Sequence, residues 1–374
     1  MMRVGVMGCG VISEVYMKNL RAFGIPILAV ADLDAERAAA RAKQFDVLQV
    51  LAPEELLGHP EIDIVVNLTV PQAHADIARR ALEQGKHVHT EKPLALVADE
   101  ARALVQLAHA RGLRVGSAPD TFLGSHLQTA RKVLDDGWIG EPIGATAFMM
   151  SHGPERWHPN PDFFYQKGGG PMFDMGPYYL TALVHLLGPI RRVTGTAQTT
   201  FAERVVGSPN RFGERIPVEI PTHVQGLLEF ERGATGVIVT SFDVWHAELP
   251  RIEIYGTEGT LAVPDPNYFG GTVRVRRRGA DEWTQVPPLF GFADNFRGLA
   301  VADMALAVSH GRPHRASGEL ALHVVEVMEA IHTSASEGRH VEIESRPVRP
   351  EPWPMGYDDT QLALDLRAET ERLG

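Results

Sequence analysis

The first third of the chain alternates between two hydrophobic rhythms. The segments "RVGVM" (from Arg3), "PILAVAD" (from Pro26), "IDIVVNLTV" (from Ile62), "KHVHT" (from Lys86) and "LRVGSA" (from Leu113) are short and largely apolar, the pattern of strands buried on both faces. Between them, "ISEVYMKNLRAF", "DAERAAARAKQF", "QAHADIARRALEQG" and "VADEARALVQLAHARG" repeat apolar positions every three or four residues, which predicts helices with one buried face. This alternation predicts an α/β domain over residues 1–122, a doubly wound parallel sheet with right-handed crossovers and helices on both faces.

The rhythm changes after residue 122. A helix from about Leu123 to Asp136 precedes a strand candidate, "GEPIGATAFMMSH", and a loop dense in proline and aromatic residues, "GPERWHPNPDFFYQKGGGP". A helix follows near Gly176 to Leu187. Next come alternating runs such as "HVQGLLEFE", "TGVIVTSFDVW" and "RIEIYG", separated by glycine-rich turns. Residues 123–345 therefore read as an α+β domain with a large, open, mostly antiparallel sheet, closed by two helices at about 293–310 and 317–336. The remainder, 346–374, with "PVRPEPWPMGYDDTQ", reads as a tail that is poorly ordered or wraps a neighbouring subunit.

Composition narrows the function. With 374 residues, 44% hydrophobic and 22% charged, the chain has enough apolar material for two cores. A net charge of −11 argues against nucleic acid, which calls for a basic footprint. No run of about 18 apolar residues marks a membrane span. Cys9 is the one cysteine, so no intrachain disulfide forms; with no signal-peptide pattern at the start, the expected location is the cytoplasm.

The turn "GCGVIS", Gly8 to Ser13, lies between the first strand and the first helix. That is where a Rossmann dinucleotide fingerprint sits. The first glycine makes the tight turn, the second lets backbone approach pyrophosphate, and the helix N-terminus attracts the anion. Gly8, Gly10, Val11 and Ile12 are the expected cradle. Asp32 ends the second strand nineteen residues beyond Ser13, where a carboxylate accepts from the adenosine ribose and repels a 2′-phosphate. This favours NAD over NADP; a plain helix N-cap is the other reading of Asp32. Thr69 and His74, after the strand in "NLTVPQAH", are expected near the nicotinamide end, although His74 also fits a helix surface.

The fifth strand ends in "HVHTEKPLAL", and about eighty residues later comes "GGGPMFDMG". With the glycine turn and Asp32 ahead of them, in this order, these segments resemble the glucose–fructose oxidoreductase / inositol dehydrogenase family over roughly residues 3–345. The resemblance implies that Lys92 lies beside the nicotinamide and assists proton movement at the reacting carbon. It also implies a cis bond from Lys92 to Pro93, and oligomers built on the open sheet. Physically, a lysine there orients the reacting oxygen, stabilises developing negative charge, and shares a proton if desolvation lowers its pKa. Glu91 either pairs with Lys92 or holds the turn.

Downstream, Asp174, Tyr178, Thr181 and His185 fall along one helical stripe, with Pro177 expected in the first turn of the helix. The family pattern in this segment is D-x-G-x-H-x-x-D, with the histidine as acid/base. Here Tyr178 stands in the histidine position and Thr181 in the second aspartate position, which puts that assignment in doubt. Lys92, Tyr178 and Asp174 are the expected catalytic groups. His152, Arg156, Trp157 and His158, with Glu155, read as a sugar-binding loop, with aromatic faces for C–H surfaces and polar groups for hydroxyls. No metal site is expected. The reading is an NAD-dependent dehydrogenase that oxidises a secondary hydroxyl of a sugar, polyol or cyclitol, working as a homodimer or homotetramer. A redox-neutral, NAD-dependent glycoside-cleaving enzyme and a non-catalytic sugar or NAD sensor are the alternatives.

Overall fold

The computed structural model describes residues 2–373. The N-terminal unit runs β1 (Val4–Met7), α1 (Ser13–Ala22), β2 (Ile27–Ala31), α2 (Ala35–Gln44), β3 (Gln49–Val50), α3 (Pro53–Gly58), β4 (Ile64–Asn67), α4 (Pro71–Glu83), β5 (His87–Thr90), α5 (Ala98–Ala110) and β6 (Val115–Ser117). Its six strands are parallel in the order β3-β2-β1-β4-β5-β6. The order reverses between β1 and β4. Ligands of such sheets bind in the crevice opened by this reversal, at the carboxyl ends of the strands. All five predicted strands and four predicted helices are present. The added pieces are β3 and α3, too short for a periodic signal.

The second unit runs α6 (Ser125–Asp135), β7 (Pro142–Met150), α7 (Gly170–Leu187), β8 (Ile190–Gln198), β9 (Glu203–Val205), β10 (Arg215–Pro217), β11 (His223–Phe230), β12 (Thr235–Ser241), β13 (Ile252–Gly256), β14 (Gly259–Val263), β15 (Val273–Arg277) and β16 (Thr284–Val286). It closes with α8 (Leu299–Ser309), α9 (Gly318–Glu337), β17 (Val341–Glu342) and α10 (Asp359–Leu373). Nine strands form one sheet, β16-β15-β14-β13-β7-β12-β11-β8-β17; only the β7–β12 pair is parallel. β9 and β10 make a separate hairpin. α7 and α9 cover one face of the large sheet, over Ala145, Ala147, Ile238, Ile254 and Leu228, all buried. The opposite face presents Thr146, Val237 and Leu227 in register, and Leu227 is 57% exposed.

The tail differs from expectation. Trp353 is buried; its indole N–H donates to the Leu123 carbonyl at 3.0 Å and its backbone N–H to Gln128 Oε1 at 2.9 Å. Tyr357 stacks on Trp353 with ring centroids 4.9 Å apart, and the Arg315 guanidinium lies 3.8 Å from the Trp353 ring. Two aromatic rings within five residues, Trp353 and Tyr357, anchor the proline-rich segment, and α10 packs along α8 of its own chain. Prolines remove backbone donors, which hid this order from a reading based on periodicity.

α7 also begins earlier than expected, at Gly170, with Pro177 inside it rather than in its first turn. Proline carries no N–H, so the Phe173 carbonyl lacks its helical partner, and the ring holds this turn open. The opening lies one turn from Asp174 and Tyr178.

Candidate active site

The glycine turn is built as the fingerprint requires. Gly8 has φ +95°, and a Cβ there would lie 2.7 Å from the Leu68 backbone, so only glycine fits. A Cβ on Gly10 would meet no atom within 4 Å, and Val11 beside it is 93% exposed. The space above Gly10 is free for a ligand to approach backbone at the N-terminus of α1. Ile12 takes the N-cap position of α1, and the Ser13 hydroxyl turns back to the Gly10 carbonyl at 2.6 Å.

Asp32 ends its strand with a carboxylate held on both oxygens. One accepts from the Cys9 N–H at 2.7 Å and the other from the Asp34 N–H at 2.9 Å, with Arg37 3.6 Å away. The N-cap of α2 is Asp34, whose side chain accepts from the Arg37 N–H. The capping reading of Asp32 therefore falls away. These residues fit a dinucleotide: an open glycine cradle, a helix N-terminus, and an oriented carboxylate beyond the second strand.

Beyond β4 the Thr69 hydroxyl donates to Asn67 Oδ1 at 2.7 Å. His74 is a correction to the sequence reading. Its ring is buried, with Nδ1 2.7 Å from the Pro93 carbonyl and Nε2 3.0 Å from the Thr69 carbonyl. Both ring nitrogens face protein backbone, so the side chain ties the loop after β4 to the turn after β5 and does not reach into the crevice. Its place on α4 was visible in sequence; its inward direction was not.

The turn after β5 is held by Glu91. Glu91 Oε1 accepts from the Tyr16 hydroxyl at 2.7 Å, and Oε2 accepts from the Lys92 backbone N–H at 3.0 Å. Glu91 therefore fixes the turn and does not pair with the ammonium. The Lys92–Pro93 peptide is cis. Lys92 Nζ donates to both the carbonyl oxygen and Oδ1 of Asp174, each at 2.7 Å. Lys92 Nζ also lies 5.3 Å from the centroid of the Tyr178 ring. Two segments some eighty residues apart thus bring Lys92, Asp174 and Tyr178 together at the carboxyl edge of the parallel sheet.

Their protonation follows from their neighbours. Burial, the largest single effect, pushes the Lys92 ammonium down, but the charge and hydrogen bond of Asp174 together with Tyr178 and Glu91 outweigh it, and the net shift is upward. Lys92 is therefore a cation at rest, and the expectation that desolvation frees its proton is corrected. Burial also raises Tyr178, against the opposing pull of Lys92 and Arg297. The phenol is protonated at rest.

The loop before α7 divides into two parts. Glu155 is buried in an ion pair with Arg204, which also reaches Asp243 at 3.1 Å; the Tyr165 hydroxyl closes the cluster on Glu155. His152 stacks on Trp245 with centroids 3.4 Å apart, and its carbonyl accepts from Arg204 of this anchor at 2.7 Å. Arg156 and Trp157 are exposed, Trp157 by 68%. His158 is half-buried among Trp157, Phe163 and Phe164. Its Nδ1 accepts from the Asn160 N–H at 3.1 Å, which leaves the proton on Nε2. Burial holds the ring below the ordinary histidine value, against the opposing effects of the Asn160 N–H and Asp174.

Arg297 escaped the sequence reading, as did its partner Asn267. The Arg297 guanidinium donates to the carbonyl and Oδ1 of Asn267 at 3.1 and 3.0 Å and faces the Tyr178 hydroxyl. Neither residue belongs to a recognisable motif, and they meet Tyr178 only through the folded chain. Among the described residues no group of histidines, cysteines and carboxylates could hold a metal ion, and no helix is long and apolar enough to cross a membrane.

Comparison with known proteins agrees with this geometry. Residues 2–118 match the model of an oxidoreductase family with an NAD-binding Rossmann fold, and residues 127–262 match the GFO/IDH/MocA C-terminal domain. A 1,5-anhydro-D-fructose reductase of Ensifer adhaerens is 27% identical over 350 residues, 92% of this chain and 99% of that protein. A dTDP-3,4-didehydro-2,6-dideoxy-alpha-D-glucose 3-reductase of Streptomyces antibioticus is 30% identical over 294 residues, 77% of this chain and 82% of that protein. The crystal structure of an NAD-binding oxidoreductase from Klebsiella pneumoniae superposes with a TM-score of 0.81 at 24% identity, covering 92% of this chain and 99% of that one. Fold, cradle and sequence similarity agree: the chain belongs to the GFO/IDH/MocA family of NAD-binding oxidoreductases.

Proposed function

We propose that this protein interconverts a secondary hydroxyl and the corresponding ketone of a sugar, polyol or cyclitol, with NAD as hydride carrier and Lys92, Asp174 and Tyr178 as the groups that manage the substrate oxygen. The observation that carries the reading is the convergence of these three side chains at the strand ends, next to an intact dinucleotide cradle. NAD supplies or accepts the hydride. Gly8, Gly10, Val11 and Ile12 would hold its pyrophosphate, Asp32 its adenosine ribose, and Thr69, Glu91 and Lys92 its nicotinamide end.

The chain's own chemistry concerns the proton. Lys92, held charged by Asp174, polarises the substrate oxygen and stabilises negative charge on it. Tyr178 holds a proton at rest and passes it to that oxygen as a ketone is reduced; in oxidation its phenolate takes the proton back. Asp174 orients Lys92 and accepts from a neighbouring hydroxyl. His158 presents an Nε2–H to a further hydroxyl, while Trp157 and Arg156 at the mouth and His152 beside the anchor meet the outer parts of the substrate. The open face of the large sheet, with Leu227 exposed on β11, pairs with a second copy in a homodimer or homotetramer.

The test is NADH absorbance with a panel of sugars, sugar acids, inositols and glycosides, read in both directions, with products followed in parallel. Steady NADH formation or consumption with one class supports the reading. Consumption of a glycoside without net NADH change points to the redox-neutral cycle instead. Cofactor binding with no consumption of any sugar points to a sensor.

A further inference from the structure

Among the described residues no carboxylate forms an ion pair with Arg297; Asp120 and Glu91 act on it only through space. Arg297 precedes α8, and its guanidinium is half-buried. Its Nη1 donates to Asn295 Oδ1 at 2.9 Å and its Nη2 to the carbonyl and Oδ1 of Asn267 at 3.1 and 3.0 Å. All these acceptors are uncharged. The carboxylate that could neutralise it, Asp120, instead accepts the N–H groups of Gly298 at 2.8 Å and Ala300 at 3.3 Å, and reaches Arg297 only through space. Lys92, the other cation beside Tyr178, is compensated by Asp174. Held by neutral acceptors and without a carboxylate in contact, the guanidinium faces the Tyr178 hydroxyl. Withdrawing a charge from water without an ion partner costs free energy, so the arrangement needs a compensating use.

We propose that Arg297 is a positioning residue for Tyr178, which orients its hydroxyl and stabilises the phenolate left when the proton has moved to the substrate oxygen. In ketone reduction the Tyr178 O–H bond breaks as the substrate O–H bond forms, and the electron pair stays on the tyrosine oxygen beside Arg297. Oxidation runs the same step in reverse. The inference rests on Tyr178 as proton carrier. The charged groups facing the phenol are Lys92 and Glu91 from the turn after β5 and Arg297 from the segment before α8. Lys92 lies over the ring at 5.3 Å, so Arg297 is the cation directed at the hydroxyl itself.

The experiment is fluorine NMR of the full chain, saturated with NAD⁺ and labelled with meta-fluorotyrosine, whose phenol ionises more readily than tyrosine. The chain has 7 tyrosines, and Tyr178→Phe identifies the resonance that belongs to position 178. Removing a cation from beside a phenol raises the pH at which it ionises. Arg297→Ala is therefore expected to move the Tyr178 midpoint upward by about one unit or more. Arg297→Lys should restore most of the difference, which a purely structural role would not do. If Arg297→Ala does not fold, Arg297→Gln removes the charge and keeps hydrogen-bonding capacity. A midpoint unchanged in the uncharged variants, or no titration of this resonance in any of the proteins, overturns the proposal. Full turnover in Tyr178→Phe is a separate result: it removes the proton-carrier reading and leaves the electrostatic effect of Arg297 on the phenol standing.

Discussion

Lys92 shows how one neighbour decides the chemistry of a side chain. Burial alone favours a neutral amine, and Asp174, the main opposing neighbour, with Tyr178 and Glu91, reverses that preference. Asp174→Asn removes the opposing charge and keeps the side chain's shape. Lys92 then gives up its proton at lower pH. For a reaction that needs the ammonium, the alkaline limb of the pH profile of turnover moves toward neutrality, and a profile with its limb in the original place contradicts the electrostatic account. The sequence showed Lys92, Asp174 and Tyr178 because each lies in a local motif with fixed spacing. It did not show Arg297 or Asn267, which reach the site from unrelated segments. His74 illustrates the opposite limit: its position on α4 was legible, but the inward turn of its ring depends on carbonyls contributed by Thr69 and Pro93.

Among the elements, the first turn separates two uses of glycine. Gly8 is required by the protein itself, because its φ is positive and a Cβ would collide with the Leu68 backbone. Gly10 is not: nothing in the chain lies near the place its Cβ would occupy. Gly8→Ala is therefore expected to lower stability by about 1–3 kcal/mol through backbone strain, measured by denaturant unfolding without cofactor. Gly10→Ala should leave that unfolding curve in place and weaken NAD⁺ binding at least about tenfold, equivalent to about 1.4 kcal/mol. Equal effects of the two substitutions on stability would remove the distinction. The C-terminal segment makes a similar point about packing. Trp353 is enclosed by Arg315, Tyr357 and the Leu123 carbonyl, so Trp353→Ala should cost about 3–5 kcal/mol. A loosely attached tail would show almost no change. Strands and helices with a clear period were legible in the sequence. The proline-rich tail and the early start of α7 were not, because aromatic packing and a helix-internal proline leave no periodic trace.

For the whole molecule, two sheets divide the work. The parallel sheet brings the glycine turn, Asp32 and Lys92 to its carboxyl edge. The large sheet uses its helix-covered face to carry α7, with Asp174 and Tyr178, against that edge. Its other face remains open, with Leu227, Val237 and Thr146 in register. Leu227→Lys places a charge on this face. Light scattering during size-exclusion chromatography should then show a smaller assembly than the wild-type protein. An unchanged oligomer would place the subunit contact elsewhere.

The central claim is that Lys92 acts on the substrate oxygen, and is not merely part of the scaffold that holds NAD. The most direct measurement compares Lys92→Ala with wild type on one sugar or cyclitol that the panel turns over, recording turnover from NADH absorbance and NAD⁺ affinity by calorimetry on the same preparation. The account predicts turnover lower by about two to four orders of magnitude, the span typical of removing a group that handles charge or protons at the reacting atom, with NAD⁺ affinity near the wild-type value. Turnover close to wild type would contradict it.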